Sequence, residues 1–387
     1  MNLKDLHNKT IYLFGKPRAF NMEEFTSQLQ SQDIRLSENL DKEVALLVEG
    51  RMMTPYEQNA ADEEYEKAEL QSISIDVLEE ALAKSIDTDV LLMSLKLSHD
   101  KERLKAFIEN EMLSDELFFK LMKMYSWKNE DFFENDENRD VSAAFISRFY
   151  INIERNHNVQ YATTGFIHLV SQATSPKLLE EIYRLQPMQF HPKIEMAIAM
   201  SVHIDERLQE SFYKNAEPHI LEALSFNKKL KLSLVKELLK DEELHKNMAR
   251  TLELNAELYE LFKTQSRDLG LNESLTLEMQ KNLLSLSDDE VYLSLAYNPD
   301  LNAEIINELL KSQNAAVKDV LYENAAMPRE LLEEAYEEGK YHASLAKNEA
   351  TPIEILYQLQ LDSRYERSVK TNAAFGEHIQ SENIGWL

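Results

Sequence analysis

The sequence predicts a mostly α-helical protein in which a small α/β domain, residues 1–80, precedes an α-solenoid, residues 81–387. Runs of β-branched and aromatic residues mark strands in the first eighty residues. Beyond them, an asparagine-centred unit recurs about every 24 residues. Glycine is scarce, at 7 of 387 residues, and no two glycines lie close enough to form a phosphate-binding loop.

Composition narrows the classes of function. The chain has 42 Lys and Arg residues against 69 Asp and Glu residues, a net charge of −27, and such a surface repels nucleic-acid phosphates. The absence of cysteine excludes disulfides, thiol catalysis and iron–sulfur ligation. No stretch approaches the ~18 apolar residues of a membrane span, and the first residues lack the apolar core of a signal peptide. We therefore expect a cytoplasmic protein without membrane contact.

The first eighty residues alternate strand and helix signals. The β-branched and aromatic run Thr10–Phe14 stops at Gly15, and the apolar run Val44–Val48 stops at Gly50. With the shorter elements, the order β-α-β-β-α-β-α indicates a small domain with a parallel sheet. The shorter elements are helices at Met22–Leu29 capped by Asn21, at Tyr56–Leu70 and at Val77–Ala83 capped by Asp76, and strands at Asp33–Leu36 and Ile73–Ile75.

These residues resemble a BRCT domain. The resemblance rests on Ile11–Lys16, on the apolar run Val44–Val48, and on Glu66–Ala68 followed by Ile73–Leu82. It implies a domain that binds proteins. Phe14 stands where phosphopeptide-binding members carry a phosphate-binding Ser or Thr, and a phenyl ring cannot donate a hydrogen bond, so we expect no phosphate pocket. An unrelated small α/β domain is the alternative interpretation.

The repeat is clearest near the C-terminus. Asn298, Asn324, Asn348 and Asn372 are spaced by 26, 24 and 24 residues. Each of the first three follows a leucine by three positions and precedes a glutamate by six, with paired aliphatic residues just beyond it. Weaker copies extend upstream in the same register, at Gln172, Ser201, Thr251 and Asn272. The predicted structural anchors are Asn110, Asn227, Asn298, Asn324, Asn348 and Asn372.

The residues of one unit suggest how it folds. We expect Asn348 to end a helix in the left-handed conformation, which asparagine tolerates. Thr351 and Glu354 have the spacing of a capping box at the start of the next helix. Leu356, a member of the aliphatic pair, is expected to be buried against neighbouring units, because no single unit can bury its apolar face alone.

The pattern L-A-x-N-x-x-x-P-x-E-[VIL]-L resembles the leucine-rich repeat variant family. The best matches lie between Leu293 and His378, and further upstream the likeness shifts towards HEAT-like helical repeats. The resemblance implies a right-handed α-solenoid of ordinary helices alternating with short 3₁₀ helices. Some members carry a cysteine-ligated iron–sulfur cluster, and without cysteine this cofactor does not carry over.

Two segments are candidate partner-binding sites. Five lysines occur in and around one predicted helix, and Lys229, Lys236 and Lys240 have the spacing of a shared helix face. Residues 128–140 break the helical period and are predicted to form an acidic loop that includes Phe132 and Phe133. These two rings either anchor the loop or contact a partner. The complete lysine cluster is Lys228, Lys229, Lys231, Lys236 and Lys240.

Catalytic and metal-binding motifs are weak. Glu154 with His157 and Glu242 with His245 form two Glu-x-x-His segments, but 88 residues separate the histidines, and several repeats of ~10 Å each would keep them apart. No nucleophile elbow or HExxH motif occurs. We expect no catalytic, cofactor-binding or metal-ligating residues.

The sequence therefore predicts a non-enzymatic scaffold or adaptor that binds proteins through both of its parts. One alternative is a DNA-repair or DNA-binding factor that uses the BRCT-like domain and the lysine cluster. A second alternative is an enzyme with an unrecognised site in the solenoid groove. The identity of the protein partner, the pathway and the oligomeric state stay open.

Overall fold

The computed structural model describes residues 1–67, 70–127, 136–150, 162–185, 191–215 and 217–382. Over these residues the protein is mostly helical, with a small parallel sheet near the N-terminus, as the sequence predicts. The chain divides into two compact units, Met1–Glu195 and Met196–Leu387. The predicted boundary at residue 80 falls inside a helix that continues to Ser85. Within the described part, no helix has both the length and the hydrophobicity to cross a membrane.

The sheet contains four strands: β1 (Thr10–Phe14), β2 (Arg35–Ser37), β3 (Val44–Glu49) and β4 (Gln71–Ser74). The helices of this region are α1 (Met22–Ser31), α2 (Pro55–Lys67) and α3 (Ile75–Ser85), and a 3₁₀ turn precedes β1 at Leu3–Leu6. Neighbouring strands are parallel, in the order β2-β1-β3-β4. The succession of strands and helices along the chain is the predicted one.

The start of α3 differs from the prediction. Ser74 caps this helix by accepting a hydrogen bond from the Asp76 amide at 3.3 Å, so the helix begins two residues early. The earlier start places Ile75, which is fully buried, in the apolar core. The Asp76 carboxylate instead accepts from Arg18 at 3.3 Å and from Arg51 at 3.1 Å. By contrast, Asn21 caps α1 as predicted.

Among the described residues of the first unit, six more helices lie wholly within it: α4 (Thr88–Ser98), α5 (Lys101–Glu109), α6 (Asp115–Met124), α7 (Asp136–Phe149), α8 (Ala162–Gln172) and α9 (Pro176–Tyr183). Two contacts join α5 to the sheet region. The rings of Phe20 and Phe107 have centroids 6.3 Å apart, and Arg103 pairs with Glu24 at 2.8 Å. The sheet and α5 therefore belong to one packed unit.

The predicted acidic loop is partly helical. Residues 136–140, the last part of the loop predicted over 128–140, form the first turn of α7. Acidic residues, which suggested a loop here, are also common in the first turn of a helix, because negative charge is favourable near the positive end of the helix dipole. Val141 and Phe145 are buried on the same helix and supply its apolar face. Residues 128–135 lie outside the described part of the chain.

Helices of two alternating sets make up the rest of the chain. Here the even-numbered helices form the first set and the odd-numbered helices form the second. Within the first set, α12 contacts α14, and each later helix contacts the next one of the set as far as α22. The first set is α10 (Pro192–Met200), which contains the division between the units, α12 (Pro218–Ser225), α14 (Glu242–Thr251), α16 (Ser266–Gly270), α18 (Asp289–Ala296), α20 (Ala315–Glu323), α22 (His342–Leu345) and α24 (Glu366–Lys370). The second set is α11 (Glu206–Asn215), α13 (Leu232–Leu238), α15 (Ala256–Phe262), which runs into a 3₁₀ turn at Lys263–Gln265, α17 (Leu277–Leu284), α19 (Ala303–Leu309), α21 (Arg329–Glu337), α23 (Ile353–Gln360) and α25 (Ala373–Ser381).

The predicted anchors coincide with the ends of the first-set helices. From α12 onwards, each helix of this set ends at an anchor or a weaker copy of one, or is followed by one within three residues. Thr251 is the last residue of α14, and Asn272 lies two residues after α16. The prediction that an anchor adopts the left-handed conformation is wrong. Asn324, for example, has φ −78° and ψ 128°, which is extended backbone. No anchor belongs to the described non-glycine residues with positive φ, which are Asn8, Asp33, Met52, His99, Ser287 and Tyr341.

The predicted capping box is also wrong. Helix α23 begins at Ile353, and the hydroxyl of Thr351 donates to the carbonyl of Leu345 at 2.8 Å instead of capping the helix. Thr351 is buried, so its hydroxyl needs an acceptor within the protein and finds one at the end of α22. The predicted burial of Leu356 is confirmed, because its side chain has no solvent exposure.

Candidate functional site

The anchor asparagines join successive repeats through their side chains. The Nδ2 of Asn298 donates to the carbonyl of Gly270 at 3.0 Å and to that of Asn272 at 2.7 Å. Its Oδ1 accepts from the amide of Asp300 at 2.8 Å. The side-chain amide of one asparagine thus donates to main-chain carbonyls at the end of α16, where a helix leaves its last carbonyls without intrahelical partners. The same side chain also stabilises the turn from Asn298 to Asp300.

The two bonds that Nδ2 donates recur at each later anchor, and we call this series the asparagine ladder. The Oδ1 acceptor differs only at Asn372, where it accepts from the Phe375 amide at 3.1 Å and caps α25. Asn324 donates to Asn298 at 2.7 Å, Asn348 donates to Asn324 at 2.7 Å, and Asn372 donates to Asn348 at 3.0 Å. An asparagine is required because its amide both donates and accepts, whereas aspartate cannot donate and leucine can do neither. The members of the ladder are Asn227, Asn272, Asn298, Asn324, Asn348 and Asn372.

Four predicted positions depart from this ladder: Gln172, Ser201, Thr251 and Asn110. Within the described part of the chain, the side chains of Gln172 and Ser201 make no bond between repeats, and the Ser201 hydroxyl accepts locally from the His203 amide at 3.3 Å. Thr251 stands where an asparagine would be expected, and its hydroxyl makes a single bond to the preceding repeat, to the carbonyl of Ser225 at 3.2 Å. Asn110 accepts from the amide of Met112 at 2.9 Å, like a ladder member, but its buried Nδ2 has no acceptor. The Asn110 side chain therefore stabilises its own turn, but it does not form the hydrogen bond that joins one repeat to the next.

The lysine cluster does not form a free basic patch. Each of its lysines pairs with a glutamate, and four of the five pair with a glutamate of another helix or turn. Lys231 bridges Glu206 and Glu210, both at 2.9 Å, and the hydrogen bonds that its ammonium group donates to these carboxylates raise the pKa of Lys231. The other pairs are Lys228 with Glu273, Lys229 with Glu253, Lys236 with Glu257, and Lys240 with Glu237.

The spacing of these ion pairs explains the cluster. Lys229 with Glu253 and Lys236 with Glu257 join residues 24 and 21 positions apart, close to one repeat. Lys281 with Glu304 and Lys347 with Glu323 continue the pattern outside the cluster. Four of the five lysines in the cluster therefore form ion pairs with glutamates at least 21 residues away along the chain. Phe132 and Phe133, the other predicted contact residues, lie outside the described part of the chain.

The turn after β1 contains a carboxylate, that of Glu57. This is the turn where the BRCT resemblance would place a bound phosphate. Phe14 is buried in a cluster with Val44 and Leu47, so its ring faces the core. The Gly15 amide donates to Glu57 at 3.3 Å. Hydrogen bonds from the main chain and side chain of Thr54 hold the pKa of Glu57 below its ordinary value. This turn is accordingly occupied by an ionised group of the chain itself. Gly15 has φ +74°, and a Cβ there would lie 2.4 Å from the carbonyl oxygen of Arg51, so this turn needs glycine.

A groove in the first unit was not predicted from the sequence. A cavity of about 640 Å³ opens among α4, α5 and the end of α6. Leu95, Leu104 and Tyr125 are buried along its wall. Four ammonium groups and one carboxylate surround these apolar residues. The charged lining residues are Lys96, Lys101, Lys120, Lys123 and Asp100.

The helix α4 beside this groove is apolar on two faces. Leu91 and Leu95 are buried on one face. On the other, Val90, Met93 and Leu97 are exposed by 66%, 59% and 75%, at helical spacings of three and four residues. Two apolar faces on one helix, separated by Asp89 and Lys96, are a sequence signal for burial on both sides, and they could have indicated this surface.

Histidine positions show no metal-binding arrangement. Among the described residues, no three His, Asp or Glu side chains are grouped so that they could hold a metal ion. His245, from one of the two Glu-x-x-His segments, packs on Phe262 with ring centroids 5.2 Å apart, and burial lowers the pKa of His245. Glu154 and His157, from the other segment, lie outside the described residues.

Comparison with known proteins gives no relative for this chain: no family model, curated protein or solved structure matches it.

Proposed function

We propose that this protein is a non-enzymatic scaffold in the cytoplasm that binds other proteins, and that its C-terminal repeats stack as an α-solenoid. The asparagine ladder carries this proposal. It links repeat to repeat through buried hydrogen bonds, which is the arrangement expected if each unit is stabilised mainly by its neighbours. A continuous stack of this kind offers an extended surface for binding, with its own chemistry confined to the exposed helix faces.

The N-terminal domain supports the same class of function. The strand and helix order and the apolar β3 fit the BRCT resemblance, which implies protein binding. The buried Phe14 and the Glu57 carboxylate at Gly15 favour a domain that recognises its partner without a phosphate. We therefore propose that any contact made by this domain is independent of phosphorylation.

The DNA-binding alternative loses its main support. It depended on the lysine cluster, and each of those lysines has a carboxylate partner within 3.5 Å. A protein gains affinity for DNA by replacing counterions on phosphates, and lysines already paired with glutamates supply little of this gain. With a net charge of −27, the remaining surface opposes the approach of a polyanion.

The proposal is tested by purifying the tagged full-length protein from its native cells and identifying proteins that co-elute with it in stoichiometric amount. A direct complex reconstituted from purified components, at salt near ~150 mM, would support a scaffold. Recovery of nucleic acid as the stoichiometric partner, or of no partner together with turnover of a small molecule, would contradict it.

A further inference from the structure

We propose that the groove among α4, α5 and α6, together with the exposed apolar face of α4, binds an acidic amphipathic helix of a partner protein. This inference rests on the proposed scaffold function and names the surface and the kind of partner. Three observations carry it: the shape of the groove, the apolar face beside it, and the charge around it.

The groove has the size and the lining of a binding site. Its volume of about 640 Å³ lies within the roughly 300–1,000 Å³ typical of ligand sites. Its wall combines the buried Leu95, Leu104 and Tyr125 with the half-buried Leu92 and Met124. These side chains offer an apolar surface that a row of leucine-like residues can fill.

The exposed apolar face of α4 lies on the same helix as Leu92, Leu95 and Lys96, which line the groove, and Lys96 lies between the two. Val90 and Leu97 are seven residues apart, about 10 Å along a helix, and Met93 lies between them. Large apolar residues scattered singly on a surface need no explanation, but three on one helix face form an apolar row of the kind found at interaction sites. This row spans two helical turns, a length that suits a helix better than a compact small molecule.

The charge around the groove selects an acidic partner. Lys96 and Lys101 are exposed and have no ion-pair partner among the described residues. Lys120 and Lys123 pair with Glu116 and Glu181 at 2.9 and 3.0 Å, so glutamates already offset their charge. The available positive charge at the groove therefore comes from Lys96 and Lys101, on a chain whose net charge is −27. Carboxylates flanking an apolar helix face would meet these ammonium groups.

Other occupants fit less well. A second copy of the chain carries the same charge of −27, so two copies repel each other over most of their surfaces. Single-stranded nucleic acid prefers aromatic platforms for its bases, whereas the wall here is mainly aliphatic, with Leu92, Leu95 and Leu104. A fatty-acid anion would leave Val90, Met93 and Leu97 uncovered.

The test measures fluorescence anisotropy of a labelled peptide mixed with the full-length protein. The probe is a designed helix of about 18 residues with leucine at positions i, i+3, i+4 and i+7 and glutamate at the flanking positions. We expect saturable binding that is weakened about tenfold or more by Lys96→Glu with Lys101→Glu. We expect a similar loss from Met93→Ser with Leu97→Ser, because these changes remove apolar contact without touching the core.

Matched control variants show whether a loss of binding comes from the groove or from a general change in the charge or hydrophobicity of the surface. Lys42→Glu with Lys193→Glu makes the same change of charge at exposed lysines elsewhere, and Leu361→Ser removes an isolated apolar residue that is 82% exposed. Both should leave the affinity within about twofold. Equal losses in these controls, equal binding of a scrambled peptide, or no saturable binding would each overturn the inference.

Two further probes test whether the groove binds a ligand other than a helix. If dodecanoate or a short DNA duplex binds in its place, with the same dependence on Lys96 and Lys101, the site belongs to a small amphiphile or to nucleic acid. Hydrogen exchange on a native complex then separates this inference from the scaffold function. Protection of a surface other than α4 to α6 would refute the groove and leave the scaffold intact, whereas the absence of any protein complex would refute the scaffold.

Discussion

Asn348 donates a hydrogen bond from its Nδ2 to the main-chain carbonyl of Asn324, its counterpart one repeat earlier, at 2.7 Å. A second bond, to the carbonyl of Tyr322 at 3.0 Å, satisfies the end of α20. The carbonyl of Asn348 in turn accepts from Asn372 at 3.0 Å. An asparagine that appears in the sequence as a helix terminator is thus a connector between repeats, and its substitution should affect more than its own turn.

Substitution of Asn348 should therefore be costly. Asn348→Ala removes two donors from buried carbonyls and one acceptor, and we expect a loss of about 2–4 kcal/mol in the free energy of unfolding. Asn348→Asp has nearly the same shape but directs a carboxylate at two carbonyl oxygens, so it should be at least as destabilising. Urea denaturation measures both, with the exposed Asn307→Ala and Asn307→Asp in α19 as matched controls. A loss no greater than that of the controls would mean that the ladder bonds do not hold the repeats together.

Apolar contact between repeats should matter more than surface charge. Leu356→Ala empties a fully buried position in α23, and we expect a loss of roughly 2–5 kcal/mol. Glu354→Ala, on the exposed face of the same helix, should change stability by less than about 0.5 kcal/mol, because Glu354 takes no part in a capping box. Thermal unfolding of the two variants in parallel compares them. If Leu356→Ala destabilises the protein as little as Glu354→Ala does, the proposed repeat register is wrong.

The lysine cluster should not retain duplex DNA. At ~150 mM salt, paired lysines on an acidic chain release few counterions, so we expect no binding in a mobility-shift assay. The triple variant Lys228→Glu, Lys229→Glu and Lys231→Glu provides the comparison. Sub-micromolar binding by the natural protein that disappears in this variant would place DNA binding ahead of the scaffold function.

Acid should destabilise the protein in part through His245. Burial lowers the pKa of this imidazole, while Asp268 and Glu242 oppose the shift only partly. The unfolded chain, with an ordinary pKa near 6.5, then takes up a proton more readily than the folded chain, so stability falls as the pH falls from about 7 to about 5. His245→Phe should flatten this dependence in urea titrations. The exposed His203→Asn should retain it, and an equal slope for all three proteins would contradict the assignment.

The turn after β1 should not bind phosphopeptides. Phe14 cannot donate a hydrogen bond, and the ionised Glu57 accepts from the Gly15 amide at 3.3 Å. Calorimetry with phosphorylated and unphosphorylated forms of one peptide should give no difference between them. Glu57→Gln removes the negative charge and should still not create a site, because the ring at residue 14 remains. A phosphate-dependent response that Lys16→Ala abolishes would show that a pocket exists.

Local patterns in the sequence were sufficient for many elements of the fold, although not for the start of α3 or for the first turn of α7. The run Thr10–Phe14 has the predicted strand bounds, and Asn21 caps α1 as expected, because each depends on a few adjacent residues. The spacing of the anchors placed the ends of the first-set helices correctly.

What the sequence by itself determined is the mostly helical class, the order of strands and helices in the parallel α/β start, and the spacing of the anchor asparagines, because hydrophobic periodicity and turn chemistry act over a few residues. Only the tertiary structure decided which partner each polar side chain meets. Thr351 meets the Leu345 carbonyl, Asn348 meets a carbonyl 24 residues away, and Lys228 meets Glu273, 45 residues away. Such partners depend on how helices stack, and burial forces each donor to find an acceptor that lies near in space although far along the chain.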